Sequence, residues 1–172
     1  MFAKNIRNFS IITLFIGSVL LLYSQNHYQV YFFLLEDCKI TQAYIPEIKK
    51  LHAEFESDSI EFKAFFPSPS SDENLVKTFF DDYHPGLTCV IDDNQKMAKK
   101  FDISVMPEVV IYQENINKVL YQGRIDNWFA GLGKRRAKAT KHELRDCLIK
   151  IQKAQAIQAQ KTEAIGCYLT RL

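Results

Sequence analysis

Four cysteines, Cys38, Cys89, Cys147 and Cys167, carry the most reactive side chains of this 172-residue chain. As thiolates they would be nucleophiles for disulfides and peroxides. Cys38 lies between an apolar run and a helical pattern. That places its sulfur at a helix N-terminus, where unpaired backbone N–H groups and the positive end of the helix dipole stabilise a thiolate. Glu36 and Asp37 oppose this charge and Lys39 favours it. In Cys38-Lys-Ile-Thr41 the fourth position is threonine, so a C-x-x-C reductase that closes its own local disulfide is excluded. Cys89, in Leu87-Thr-Cys-Val-Ile91, reads as a small buried hydrophobe. Cys147 reads the same way, on the apolar stripe of a C-terminal helix. Cys167 follows Gly166 in a tail outside the regular pattern. A mobile tail could carry it back to Cys38, and a free or intermolecularly paired thiol is the other reading. His27, His52, His84 and His142 are scattered. His142-Glu143 lacks the second histidine of a zinc protease motif because Asp146 stands there, so neither a metal nor a cofactor site is expected.

The elements that must position these residues follow from periodicity. Gln29 to Leu35 is β-branched, aromatic and almost continuously apolar, as in a strand buried on both faces. Tyr44, Ile45, Ile48, Leu51 and Phe55 share one face of the helix after Cys38, with Pro46 inside it. Ile60 to Phe66 is a second strand. Asp72 caps a helix through Leu75, Val76, Phe79 and Phe80, which His84-Pro85-Gly86 stops. Leu87 to Ile91 is a third strand, and a short helix spans Met97 to Phe101. Val109 to Tyr112 and Val119 to Tyr121 form an antiparallel hairpin. Residues 122–140 read as a long connection containing Trp128 and Phe129, a cover for the site's edge or core filling. Its basic stretch, Lys134 to Lys141, reads as a solvated loop. Thr140 and Glu143 suggest a capping box for the last helix, which carries Leu144, Cys147, Leu148 and Ile151.

Charge adds a compartment. The net charge is +2, and Lys4 and Arg7, with no acid before residue 24, supply the excess. The remaining body is neutral, which argues against nucleic-acid binding. After Lys4 and Arg7 comes an apolar run of about a dozen residues, the length of a signal-peptide core rather than a ~20-residue membrane span. Residues 1–24 are therefore expected to be a signal peptide or a short membrane anchor, with cleavage after Ser24 and retention both open. Residues 25–161 would be the main domain and 162–172 a tail carrying Cys167. The expected location is extracytoplasmic: periplasmic, or anchored and facing the periplasm, where thiols can be oxidised.

The β-α-β-α-β-α-β-β-α order, the cysteine between the first strand and helix, and Val105-Met106-Pro107 before the hairpin together resemble the thioredoxin fold over residues 28–152. Phe33 to Glu47 is similar to the redoxin branch (AhpC/TSA, peroxiredoxin-like) of bacterial envelope proteins, with its acid-Cys segment followed by Tyr-x-Pro-Glu. Met106-Pro107-Glu108-Val109-Val110, Tyr121-Gln-Gly-Arg-Ile-Asp126, Gly133-Lys-Arg-Arg136, His142-Glu-Leu-Arg145 and Gly166-Cys167-Tyr168-Leu169 extend the likeness. The resemblance implies a three-layer α/β fold with a central mixed sheet. It also implies a site containing Cys38, Thr41 and a cis Pro107 facing the sulfur, with Cys167 as the candidate resolving cysteine. Two departures bear on activity. Leu35 occupies the place where peroxiredoxins hold Thr or Ser, and Gln42 the place of the second cysteine of thioredoxin-fold copper chaperones.

The leading expectation is an extracytoplasmic thiol-disulfide oxidoreductase or thiol peroxidase-like protein of monothiol type. It would act on a thiol or disulfide protein or a small hydroperoxide. The alternative is a redox-degenerate thioredoxin-like binding module that kept the groove beside Pro107 and lost the chemistry.

Overall fold

The computed structural model describes residues 26–172, and the expected signal or anchor segment, residues 1–24, lies outside them. Strand β1 (Tyr28–Phe33) is central because both its faces are apolar. Val30, Phe32 and the following Leu34 enter one core, and Tyr31 and Phe33 enter the other. β2 (Ile60–Phe66) runs parallel to β1, with Tyr28 opposite Ile60 and Phe33 opposite Phe65. β3 (Thr88–Ile91) runs parallel to β2 at the sheet edge. On the other side β5 (Glu108–Gln113) is antiparallel to β1 and β6 (Lys118–Gly123) is antiparallel to β5. A two-residue β9 (Gln160–Lys161) completes the mixed sheet, in the order β3-β2-β1-β5-β6-β9.

Helices α1 (Lys39–Phe55), α2 (Glu73–Tyr83) and α4 (Glu143–Gln152) pack on the larger core, and α3 (Lys96–Lys100) covers the smaller one. This is the expected three-layer arrangement. The periodic face of α1 is buried as its spacing requires, through Ile40, Tyr44, Ile45, Ile48, Leu51 and Phe55. The Asp72 side chain accepts a 2.8 Å bond from the Leu75 N–H at the start of α2, and His84 ends that helix in the left-handed region.

Four local expectations are corrected. Thr140 does not cap α4, whose N-cap is His142. Instead the carboxamide of buried Asn127 takes the backbone N–H groups of Thr140 and Lys141, and its NH2 donates to the Thr140 hydroxyl. Glu143, freed from a capping box, pairs with Arg124. The 122–140 connection contains a small hairpin, β7 (Phe129–Gly131) with β8 (Lys134–Arg135), turned at Gly133 with φ +70°. Cys89 is only half-buried, because β3 is an edge strand, whereas Cys147 is fully buried as expected. Finally, the tail is not outside the regular structure: β10 (Cys167–Tyr168) pairs antiparallel with β4 (Val105–Met106). Trp128 meets the Tyr44 ring edge-on at 5.7 Å and Phe129 is buried, so this pair packs against α1.

Candidate functional site

Cys38 is the N-cap residue of α1, held at the end of the β1–α1 loop by its N–H to the Leu35 carbonyl (3.2 Å). Its own carbonyl accepts the first helical bond, from the Gln42 N–H. No side-chain cap bond engages the sulfur at the helix end, so the thiol is left for other partners. Two are present. The Cys38 Sγ lies 3.7 Å from the Met106 carbonyl oxygen, and the Cys167 Sγ lies 2.8 Å from the Cys38 Sγ. A disulfide needs a spacing of ~2.05 Å, so small side-chain movements would join the two sulfurs.

Each neighbour is placed by an identifiable constraint. Met106 is fully buried and its bond to Pro107 is cis. Cys167 stands directly opposite Met106 in the β10–β4 pair. Gly166 lets the tail come this close: a Cβ there would sit 1.9 Å from the Met106 carbonyl oxygen, so only glycine fits. Thr41, one turn into α1, is completely buried, and its hydroxyl accepts a 3.4 Å bond from the Leu35 N–H. It thus ties the loop before Cys38 to the helix after it.

The nearby charges are unequal in reach. Glu36 is buried and accepts from the Ser71 hydroxyl at 2.8 Å, and its carbonyl takes the Gln42 side-chain N–H. Lys39 points to the Gln42 carboxamide. The Cys167 thiol is pushed up to about 12, by burial first, then by its hydrogen bond to Cys38, the Cys38 charge and Asp37. Burial raises Cys89 to about 11 and also raises Cys147, so these two sulfurs are poor nucleophiles at neutral pH.

The structure therefore brings Cys38, Thr41, Pro107 and Cys167 to one end of the sheet. Cys89 and Cys147 are not part of this cluster. Among the described residues no cluster of His, Cys, Asp or Glu is arranged to hold a metal, and no helix is long and apolar enough to cross a membrane. Sequence reasoning gave no role to the Met106 carbonyl, Gln95 or Leu169. Gly166 was visible beside Cys167, but its close approach to Met106 appears only in three dimensions.

No family model matches the chain, and the curated proteins yield no sequence relative. Solved structures do match its fold. A hypothetical protein from Sinorhizobium meliloti superposes with a TM-score of 0.72 at 18% identity, covering 86% of this chain and 81% of that one. An uncharacterized conserved protein from Geobacillus kaustophilus gives 0.71 at 17% identity over 85% and 78%. A protein from Neisseria meningitidis assigned as a thioredoxin gives 0.54 at 15% identity over 76% and 75%. The chain has a thioredoxin-like fold.

Proposed function

We propose that this protein is an extracytoplasmic thiol-disulfide oxidoreductase whose redox pair is Cys38 and Cys167. The observation that carries this reading is the 2.8 Å approach of the two sulfurs beside Met106 and Pro107. The Cys38 thiolate attacks a substrate disulfide, forming a mixed disulfide and releasing one substrate thiolate. Cys167 then loses its proton to solvent and attacks the Cys38 sulfur, releasing the second substrate thiolate. The substrate disulfide gains two electrons and the Cys38–Cys167 pair loses two. The same steps in reverse oxidise a substrate dithiol.

The charge on Cys38 is one of the causes that hold Cys167 protonated, and forming the mixed disulfide removes it. Resolution is thereby favoured after attack. The basic, apolar N-terminal sequence supports a location outside the cytoplasm, where such a pair can cycle. Reaction with a small hydroperoxide would use the same two sulfurs through a sulfenic acid on Cys38, but Leu35 supplies no hydroxyl to bind the peroxide.

The test is exchange with a model peptide disulfide, followed by mass spectrometry. The unaltered chain is expected to yield a Cys38–Cys167 disulfide and two peptide thiols. Cys167→Ser should accumulate a mixed disulfide on Cys38, and Cys38→Ser should be inert. Equal, slow exchange in all three would sink the oxidoreductase reading in favour of a binding module without catalysis.

A further inference from the structure

The C-terminal tail occupies the approach to Cys38. With β10 in place, Cys38 is only 2% exposed, and the nearer of the two groups against its sulfur is the chain's own Cys167. β10 also uses the backbone of β4: Cys167 faces Met106, Tyr168 faces Val105, and the Leu169 N–H donates to the Ser104 carbonyl at 2.9 Å. An extended peptide presenting a disulfide to Cys38 would need this same edge. The tail is therefore arranged as such a peptide would be, with its own cysteine at the position of the reacting sulfur.

The fastening of this strand is uneven. Before it, Thr162 is fixed to the sheet: its N–H donates to the Gln122 carbonyl, and its hydroxyl meets the Tyr121 hydroxyl and the Arg124 N–H. After it, three contacts hold the end of the chain. Leu169 is buried in the smaller core. The Gln95 carboxamide clasps the tail with both its ends, donating to the Thr170 carbonyl at 2.6 Å and accepting from the Leu172 N–H at 3.0 Å. Arg171 pairs with exposed Asp102. Releasing Leu169 and the Gln95 clasp would free residues 163–172 to swing about the point fixed at Thr162, leaving the sheet intact.

We infer that residues 163–172 are an internal pseudo-substrate strand, held by Gln95 and Leu169, which must leave the β4 edge before an extended disulfide-bearing peptide can reach Cys38. This deepens the oxidoreductase reading by adding a gate to its site, and it rests on that reading only for the nature of the peptide. Binding of such a peptide and docking of the tail are mutually exclusive. After attack, return of the tail delivers Cys167 to the mixed disulfide and displaces the peptide from the edge.

Alkylation of Cys38 by a maleimide, read by mass spectrometry, measures access independently of disulfide chemistry. It is to be compared in Cys167→Ser chains with and without Leu169→Glu or Gln95→Ala. Release of the tail is expected to raise the Cys38 labelling rate about tenfold or more, since labelling follows the open fraction. Buried Cys147 should stay protected in the same digest, and a synthetic peptide of residues 163–172 should restore protection of Cys38. If Leu169→Glu exposes Cys147 as well, Gln95→Ala carries the test. Unchanged Cys38 labelling, or a rise only where Cys147 is also exposed, would overturn the gate. Faster labelling without any disulfide exchange would leave the gate standing and remove the oxidoreductase reading.

Discussion

Cys38 and Cys167 reach the same place by different kinds of support. Cys38 is set by its immediate neighbours, the Leu35 carbonyl before it and the first turn of α1 after it, so a reader of the sequence finds it from a cysteine between an apolar run and a helical face. Cys167 is set by contacts with residues far along the chain, Met106 from β4, Ser104 just before it and Gln95 from the 3-10 turn before α3, and no local pattern announces those. A different pair, Arg124 after β6 and Glu143 at the start of α4, makes stability depend on pH. Burial works to raise the Glu143 carboxyl, but the hydrogen bond and charge of Arg124 outweigh it and hold it below the usual glutamate value. The folded state therefore binds this proton more weakly than the unfolded chain. The resulting stability is present above the ordinary glutamate range and is lost as pH falls through the lowered folded value. Arg124→Ala would leave a partly buried carboxylate unpaired, and a loss of about 1–3 kcal/mol at pH 7 is expected from denaturant unfolding. The difference between the variant and the unaltered chain should shrink below pH 4; a constant difference from pH 7 to pH 3 would contradict this account.

At the scale of elements, hydrophobic periodicity exposed most of the fold because α1, β1, β2 and the β5–β6 hairpin each bury a continuous apolar face. The short elements were hidden for a physical reason. β4, β7, β8, β9 and β10 are two or three residues long and are defined by their partners, with too few residues to show a period. Thr140 shows the converse error: its spacing from Glu143 fits a capping box, but the Asn127 carboxamide offers the local N–H groups a better-placed acceptor. Gly166 is where a short element makes a sharp demand. An added Cβ would fall 1.9 Å from the Met106 carbonyl and 3.0 Å from the Pro107 nitrogen, both backbone atoms that cannot turn aside. Gly166→Ala is therefore expected to lift β10 off β4 and carry Cys167 away from Cys38. Closure of the Cys38–Cys167 disulfide by a mild oxidant should slow by about tenfold to a hundredfold, because small misplacements of reacting atoms cost that much. Closure at the unaltered rate would show that the β10–β4 pairing does not set the sulfur geometry.

For the molecule as a whole, the two sulfurs are 129 residues apart in sequence, with nearly all of the described chain between them. Joining them ties the tail to the start of α1 and closes a covalent loop that contains every strand of the six-stranded sheet except β1. Such a bond restricts the unfolded chain far more than the folded one, in which the sulfurs already lie together. In the chain-entropy account, a loop of this length is worth about 4–5 kcal/mol. The oxidised protein should thus unfold at a higher denaturant midpoint than the reduced protein, and about 10 °C or more higher on heating. Linkage makes this a statement about chemistry as well: whatever the bond adds to folding, folding adds to the bond, and the fold draws the pair toward the disulfide. Measuring unfolding in oxidant and in reductant, with Cys167→Ser alongside, separates this bond from any other cysteine effect. The variant should unfold at one midpoint in both conditions, near that of the reduced unaltered chain. A redox-dependent midpoint that survives Cys167→Ser would place the stabilising bond elsewhere. Equal midpoints for the oxidised and reduced unaltered chains, with the disulfide verified by mass, would mean that the native state gives up in strain what the unfolded chain loses in entropy.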